Sequence, residues 1–279
     1  IVIGAGIVGL ASAYQIRKML PGARLLVIEK EHEPGTHQSG RNSGVIHSGI
    51  YYKPGSAKAI NCIRGYGMML DFLSEFNIPH EICGKIIVAT RESELPQIDI
   101  LFKRGLENGL EGLERIGPNE IRELEPHVAG IEAIRVPQSG IADYPAVSRK
   151  LSELITEMGA EIRYSEPVTD WTDRRVKTTD GEYSAPLIIN CAGLQNDILA
   201  SKRFPDLDVR IIPFRGEYYE LSPSAEGLIK NLVYPVPDPA FPFLGVHFTR
   251  MIQGGIEAGP NAVFALAREG YSWTDIDLK

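Results

Sequence analysis

Three glycines near the start constrain this chain more than any other feature. Gly4, Gly6 and Gly9 form a G-x-G-x-x-G turn between a short apolar run, residues 1–3, and a helical segment, residues 10–20. Pro21-Gly22 ends that helix, and the apolar run RLLVIE, residues 24–29, reads as a second strand closing on an acid. Gly4 permits the tight turn, Gly6 lets backbone approach a pyrophosphate, and Gly9 allows close packing of helix on sheet. The helix start supplies free N–H groups and the positive end of its dipole. Glu29 lies 20 positions after Gly9, where a carboxylate accepts hydrogen bonds from an adenosine ribose. An acid at this position argues against a 2′-phosphate, and the turn alone does not separate NAD from FAD.

Composition narrows the class. The 279 residues carry 36 acidic and 29 basic side chains, a formal charge of -7, so a globally basic nucleic-acid footprint is absent. No apolar run reaches the ~20 residues that span a bilayer. The three cysteines, Cys62, Cys83 and Cys191, show no metal-like spacing and fit a reducing, cytoplasmic compartment. The six histidines show no paired ligand spacing either, so no metal site is expected. The chain opens on Ile1 inside an apolar strand, and both ends read as cut.

Further along, helices are expected over residues 56–76, 92–109, 117–125 and 144–158, with strands over 85–90, 130–136 and 161–164. The stretch 163–184 looks short of connecting residues for a strand pair. PLIINC, residues 186–191, reads as a buried strand. From there on the pattern is strand-rich, with runs expected at 209–221, 232–236, 244–250 and 256–259, and nearly free of helix signals.

Between the second strand and the first long helix lies SGRNSGVIHSG, residues 39–49. Small residues there let backbone pack against a flat ring or a phosphate, and Arg41, Asn42 and Ser43 offer donors to an anion. Together with HSGIYYKPGS, PFRGEYYEL and YPVPDPAFPFLGVHFTR, this loop makes the chain resemble the L-2-hydroxyglutarate oxidase/dehydrogenase family of D-amino-acid-oxidase-like FAD enzymes. The resemblance covers essentially the whole chain. It implies an α/β fold: a discontinuous Rossmann-type FAD/NAD(P)-binding domain, residues 1–80 and 141–200, with a strand-rich α+β substrate domain, residues 81–140 and 201–265. Family members continue past the GPNAV segment with a glycine-bearing stretch that closes over the flavin.

By the same resemblance, FAD is held by Gly4, Gly6, Ile7, Val8, Gly9, Glu29, Lys30, Ser39, Arg41, Asn42, Ser43 and Gly44. Val168 is expected at the adenine through its backbone, and Cys191, Ala192 and Gly193 beside the cofactor. The implied reaction oxidises L-2-hydroxyglutarate to 2-oxoglutarate, with oxygen or a quinone as electron acceptor. A quinone would bring the protein peripherally to the inner face of a membrane. The alcohol proton needs a base, and His47 is the leading candidate, with His247 its rival. A small-molecule dicarboxylate calls for basic donors: Arg215, Arg250 and Lys53, with hydroxyls from Tyr51, Tyr52, Tyr218 and Tyr234. Three alternatives stay open: an NAD-linked dehydrogenase, a glycine- or sarcosine-type amine oxidase, and a catalytically silent nucleotide-binding fragment. Oligomeric state is not legible.

Overall fold

The structure is a computed structural model and describes residues 1–241 and 244–277. Pro242 and Phe243, in the PVPDPAFPF signature, lie outside the described residues. Contacts divide the chain into two compact units. Unit 1 comprises Ile1–Asn42, Tyr144–Phe214 and Phe264–Lys279; unit 2 comprises Ser43–Asp143 and Arg215–Val263.

In unit 1, β1 (Val2–Ile3), α1 (Ile7–Met19) and β2 (Leu26–Ile28) form the expected opening. The remaining elements are α5 (Tyr144–Glu157), β9 (Glu161–Arg163), β13 (Ile189–Asn190) and α6 (Asn196–Arg203). Four strands make a parallel sheet in the order β13-β1-β2-β9. Val147, Leu151 and Ile155 of α5 recur at helical spacing and are buried. Arg17, in the last turn of α1, donates to the Ala23 carbonyl at 2.5 Å and to that of Met158, tying the ends of α1 and α5 together.

Three expectations change here. The helix starts at Ile7, so Gly9 falls in its first turn and Gly6 is its N-cap. PLIINC contracts to the two half-buried residues of β13, because this strand lies at the end of the sheet order. The stretch 163–184 is not cramped: β10 (Val168–Trp171), β11 (Arg175–Thr178) and β12 (Glu182–Ser184) make an antiparallel meander. Its turns close through Thr172 N–H to Arg175 O at 2.8 Å and Thr178 N–H to Gly181 O at 2.9 Å. The helix α6 was not foreseen. It is short, and it is held by Asp197, whose carboxylate accepts from Arg268 at 2.6 Å and from the Ile211 N–H at 2.9 Å.

Unit 2 holds β3 (Val45–Ile46), α2 (Ala57–Glu75), β4 (His80–Glu81), β5 (Lys85–Ala89), α3 (Leu95–Glu107), β6 (Glu114–Ile116), α4 (Pro118–Leu124), β7 (Glu132–Val136) and β8 (Gly140–Ala142). The later segment adds β14 (Phe214–Glu220), β15 (Leu232–Pro235), β16 (His247–Arg250) and β17 (Ile256–Phe264). A seven-stranded mixed sheet runs β14-β17-β16-β15-β5-β7-β6, and a smaller one runs β3-β8-β4. The sequence division put residues 43–80 with the first unit. By contact they go with the second, where β3 pairs with β8 and Ser56 caps α2 by accepting from Ala59 N–H at 3.2 Å. Residues 209–213 are not strand, and β17 runs to Phe264 rather than stopping near 259. Among the described residues no helix is long and apolar enough to cross a membrane.

β5 lies inside the large sheet and is buried at all five positions. Ile87 and Ala89 pack on one face with Ile98, Leu101 and Ile134; Ile86 and Val88 pack on the other with Ile121, Ala133 and Ile256. A strand covered on both faces reads as a continuous apolar run. Lys85 therefore enters the interior at the head of such a run.

Candidate functional site

In unit 1 the glycine turn is clamped from both sides. Gly4 N–H donates to Ile28 O at 2.8 Å, and Cys191 N–H donates to Ile3 O at 2.8 Å. Gly4 sits at φ 100°, and a Cβ there would collide with the Cys191 carbonyl oxygen. A Cβ on Gly9 would collide with the Gly4 carbonyl oxygen and would also meet Cys191 Cβ at 3.3 Å. At the head of α1, Gly6 has no side chain to cap the helix, and Ile7 N–H donates to Ser39 Oγ at 2.9 Å. Glu29 follows β2 and is nearly enclosed. Its two carboxylate oxygens accept from Ala5 N–H at 2.6 Å and Glu31 N–H at 2.9 Å.

These groups border a cavity of about 420 Å³. Of the residues expected at the cofactor, Gly4, Gly6, Glu29, Lys30, Ser39, Val168, Cys191, Ala192 and Gly193 line it. Ile7, Val8 and Gly9 form the helix start behind it, with Val8 exposed. Arg41 and Asn42 hold the loop itself. Arg41 lies over the Tyr271 ring at 4.2 Å from its centroid and donates to Thr36 O at 3.2 Å; Asn42 donates to Ser39 O at 2.8 Å. Ser43 and Gly44 belong to unit 2, where Gly44 O accepts from Ala142 N–H at 2.8 Å.

Sequence reasoning missed the far wall of this cavity: His37, Gln38, Gln195, Lys202 and Glu269. Lys30 pairs with Glu31 and with Glu269 at 2.9 Å, and its Nζ lies 2.8 Å from His37 Nε2. Burial opposes the Lys30 charge, but the two carboxylates outweigh it and raise the pKa. Lys30, and then His37, lower that of Glu31. The ligand atoms of Glu31, His37 and Glu269 lie within 4.8 Å of one another, a convergence that sequence spacing hides because Glu269 is remote. The Lys30 ammonium already serves these carboxylates.

Unit 2 gathers a different set of groups. His47 follows β3, Tyr51 stands four residues on, Lys85 heads β5, Tyr234 lies on β15 and His247 opens β16. The Tyr234 and His247 rings stack at 3.9 Å. Lys85 Nζ sits 3.9 Å from the Tyr234 ring centroid and 5.3 Å from that of Tyr51. His247 is 6% exposed, and its Nδ1 lies 2.9 Å from Gly245 O. A carbonyl oxygen only accepts, so this contact puts the proton on Nδ1 and leaves the lone pair on Nε2. His47 keeps an accessible face.

The charges here repel and are poorly solvated. Desolvation, with help from Lys85 and then His247, lowers the His47 pKa to about 3. Desolvation and Lys85 lower that of His247 to about 4, against the contrary pull of the Gly245 carbonyl. Lys85 is 2% exposed, and burial brings its pKa down to about 7. The electrostatic neighbours acting on it are the Cys83 and Cys62 thiols, with no carboxylate among them. Burial raises Tyr234 to about 12 and Tyr51 well above its ordinary value, so both phenols keep their protons at neutral pH.

The expected anion-binding arginines each face an acid, and among the described residues the Nε of Arg250 is buried with no hydrogen-bond partner. Arg250 pairs with Glu81, and Arg215 pairs with Glu217 at 2.9 Å. Lys53 is exposed, and Tyr52 is anchored through its carbonyl, which accepts from Asn108 Nδ2 at 2.9 Å. Lys85 was read only as the start of a strand. The signal that marks it is a lysine directly abutting the run IIVA, with no polar position to alternate with it.

A family model described as "FAD dependent oxidoreductase" matches residues 1–278. The L-2-hydroxyglutarate dehydrogenase of Indibacter alkaliphilus is 50% identical over 283 residues, which cover 100% of this chain and 71% of that protein. The mitochondrial L-2-hydroxyglutarate dehydrogenase of Caenorhabditis elegans is 43% identical, with 99% of this chain and 66% of that protein covered. Among solved structures, the dithionite-reduced L-alpha-glycerophosphate oxidase of Mycoplasma pneumoniae with FAD bound superposes with a TM-score of 0.85 at 27% identity, covering 96% of this chain and 72% of that one. Glycine oxidase from Geobacillus kaustophilus shares the fold, with a TM-score of 0.81 at 18% identity.

Proposed function

Because this chain belongs to the FAD dependent oxidoreductase family, we propose that it oxidises L-2-hydroxyglutarate to 2-oxoglutarate. The cavity of unit 1 fits FAD. It has a glycine turn that a Cβ at Gly4 or Gly9 would fill, a helix start whose N-cap residue, Gly6, has no side chain, and Glu29 fixed by two backbone N–H groups at the end of β2. Gly4, Gly6, Ser39 and the N-terminus of α1 would take the pyrophosphate, Glu29 the ribose, and Val168 the adenine. Bound there, FAD supplies the acceptor for the α-hydrogen, which leaves the substrate as hydride.

The rest of the chemistry is a proton. The observation that carries this reading is His47, an exposed imidazole on the glycine-bounded loop after β3, beside Lys85 and His247. Burial, then Lys85 and His247, lower the pKa of this ring, which leaves its lone pair free and weakens it as a base before substrate binds. It takes the hydroxyl proton as the carbon–oxygen double bond forms. His247 is enclosed and held through Nδ1, so it acts as a fixed neighbour of the base. Arg215 and Arg250 reach a carboxylate by exchanging Glu217 and Glu81 for it, and Lys53 and Tyr52 stand on the loop that follows His47. Electrons leave to oxygen or to a quinone. The quinone route would place the protein peripherally on the inner face of a membrane, and the oxygen route would leave it cytoplasmic.

The test is an anaerobic titration of the FAD-loaded, full-length protein, followed in the visible flavin bands. Bleaching by L-2-hydroxyglutarate and by neither the D enantiomer nor sarcosine is expected. Bleaching by sarcosine would favour an amine oxidase, and no bleaching by any of the three would reject the proposed substrate.

A further inference from the structure

A charged side chain rarely enters a protein interior without a counter-ion, because desolvation disfavours the ion: it either gives up its proton more readily or finds a partner or a bound ligand. Lys85 is such a case. Its side chain is 2% exposed, and what surrounds the ammonium is aromatic: the Tyr234 face at 3.9 Å and the Tyr51 face at 5.3 Å from ring centroids. Two ring faces offer a cation partial compensation only.

The neighbouring groups do not supply the missing charge. Glu81 is paired with Arg250, and Glu217 with Arg215. Among the described residues, the Tyr51 hydroxyl is buried with no hydrogen-bond partner, whereas that of Thr249 has the Tyr234 hydroxyl beside it. A buried polar group left unpaired is destabilising, so such groups in a native interior ask for an explanation. One cation and one spare hydroxyl donor, on β5 and on the loop after His47, match the needs of a carboxylate, which is charged and accepts several hydrogen bonds.

We propose that Lys85 anchors one carboxylate of the substrate, its ammonium forming the ion pair that unit 2 itself leaves unmade and the Tyr51 hydroxyl donating to the same group. This rests on the reading that the substrate is a 2-hydroxydicarboxylate. It moves the main anion contact from Arg215 and Arg250, which are already paired, to a lysine inside the sheet. It also links binding to proton transfer. Burial is the larger cause of the lowered His47 pKa and the Lys85 charge the second; a carboxylate beside Lys85 offsets that second part and makes His47 a stronger base to that extent.

The test uses glutarate, which has the two carboxylates and no hydroxyl to oxidise. It is titrated calorimetrically into the FAD-loaded, full-length protein, into Lys85→Met, which keeps the side-chain length and removes the charge, and into Lys85→Arg, which keeps the charge. Affinity is expected to fall by about tenfold or more in Lys85→Met, and by less in Lys85→Arg. Flavin bands and melting temperature report that each variant is folded, and Lys85→Gln replaces the methionine variant if that one does not fold. Equal glutarate affinity in wild type and the neutral variant would overturn the proposal, as would a wild type that does not bind glutarate. A purely structural lysine would change the melting temperature and leave the affinity of the folded fraction alone. The two readings fail separately. Glutarate binding that depends on Lys85, without bleaching by L-2-hydroxyglutarate, rejects the reaction and keeps the anchor. Bleaching with an unchanged KM in Lys85→Met does the reverse.

Discussion

Glu29 in unit 1 and Lys85 in unit 2 are both ionisable side chains with almost no exposed surface, and their surroundings differ in kind. Glu29 is met by two backbone N–H groups, from Ala5 and Glu31, supplied by the turn it serves. Lys85 is met by two ring faces, two thiols and two histidines whose protonation its charge opposes. The first arrangement is complete without a ligand, so the nucleotide cradle is preorganised by backbone geometry. The second is incomplete, and its polar groups find their partner when an anion arrives. A cofactor that stays bound suits a finished cradle. A substrate that must enter and leave suits a site whose interactions are made only on binding.

This contrast can be broken most severely at Gly9. The Gly9→Ala methyl group would collide with the Gly4 carbonyl oxygen, a backbone atom that cannot step aside. We expect the variant to purify without flavin and to lose about 3 kcal/mol of stability, measured as absorbance per mole of protein and by urea unfolding. A yellow, stable Gly9→Ala protein would mean that the turn is not the cradle.

Lys85 should show the opposite sign. Its pKa is about 7 when folded against 10.5 ordinarily, so between those values the unfolded chain binds more protons than the native one. Stability then rises with pH across that window, and the penalty for the buried charge is present in full below about pH 7. The Lys85→Met variant should therefore be more stable than wild type at pH 6, by at most about 5 kcal/mol, with the difference shrinking towards pH 10. Denaturant midpoints at both pH values check this. His47 and His247 stay uncharged throughout, since their lowered values of about 3 and 4 lie below the window. A variant less stable than wild type at pH 6 would show that Lys85 has a partner after all.

The smallest effect is expected at Glu29. Glu29→Gln turns one of two acceptors into a donor facing a backbone N–H. The cost should be about 1–2 kcal/mol, together with weaker retention of FAD on dilution. An unchanged midpoint would remove the distinction between a finished and an unfinished site.

How far the sequence carried each region follows from the same physics. The nucleotide cradle was legible because its requirements fall on consecutive residues: a turn that tolerates only glycine, a helix start, and an acid one strand later. Its far wall was not, since His37 and Glu269 come together only when the chain returns. In unit 2, His47 was legible from its glycine-bounded loop. Lys85 was not, because a lysine next to IIVA reads as a solvated strand end, and only the sheet order shows that β5 is covered on both faces. Arg215 and Arg250 were sound in chemistry, but the acids that claim them, Glu217 and Glu81, have to be seen in space.

The central claim is that unit 1 holds the cofactor while His47 of unit 2 moves the proton. The most direct measurement is the rate at which the flavin bands of His47→Asn bleach on anaerobic mixing with L-2-hydroxyglutarate. The account predicts a full complement of FAD and bleaching slower than wild type by about a hundred- to ten-thousand-fold. Bleaching at the wild-type rate, with the flavin fully bound, would contradict it.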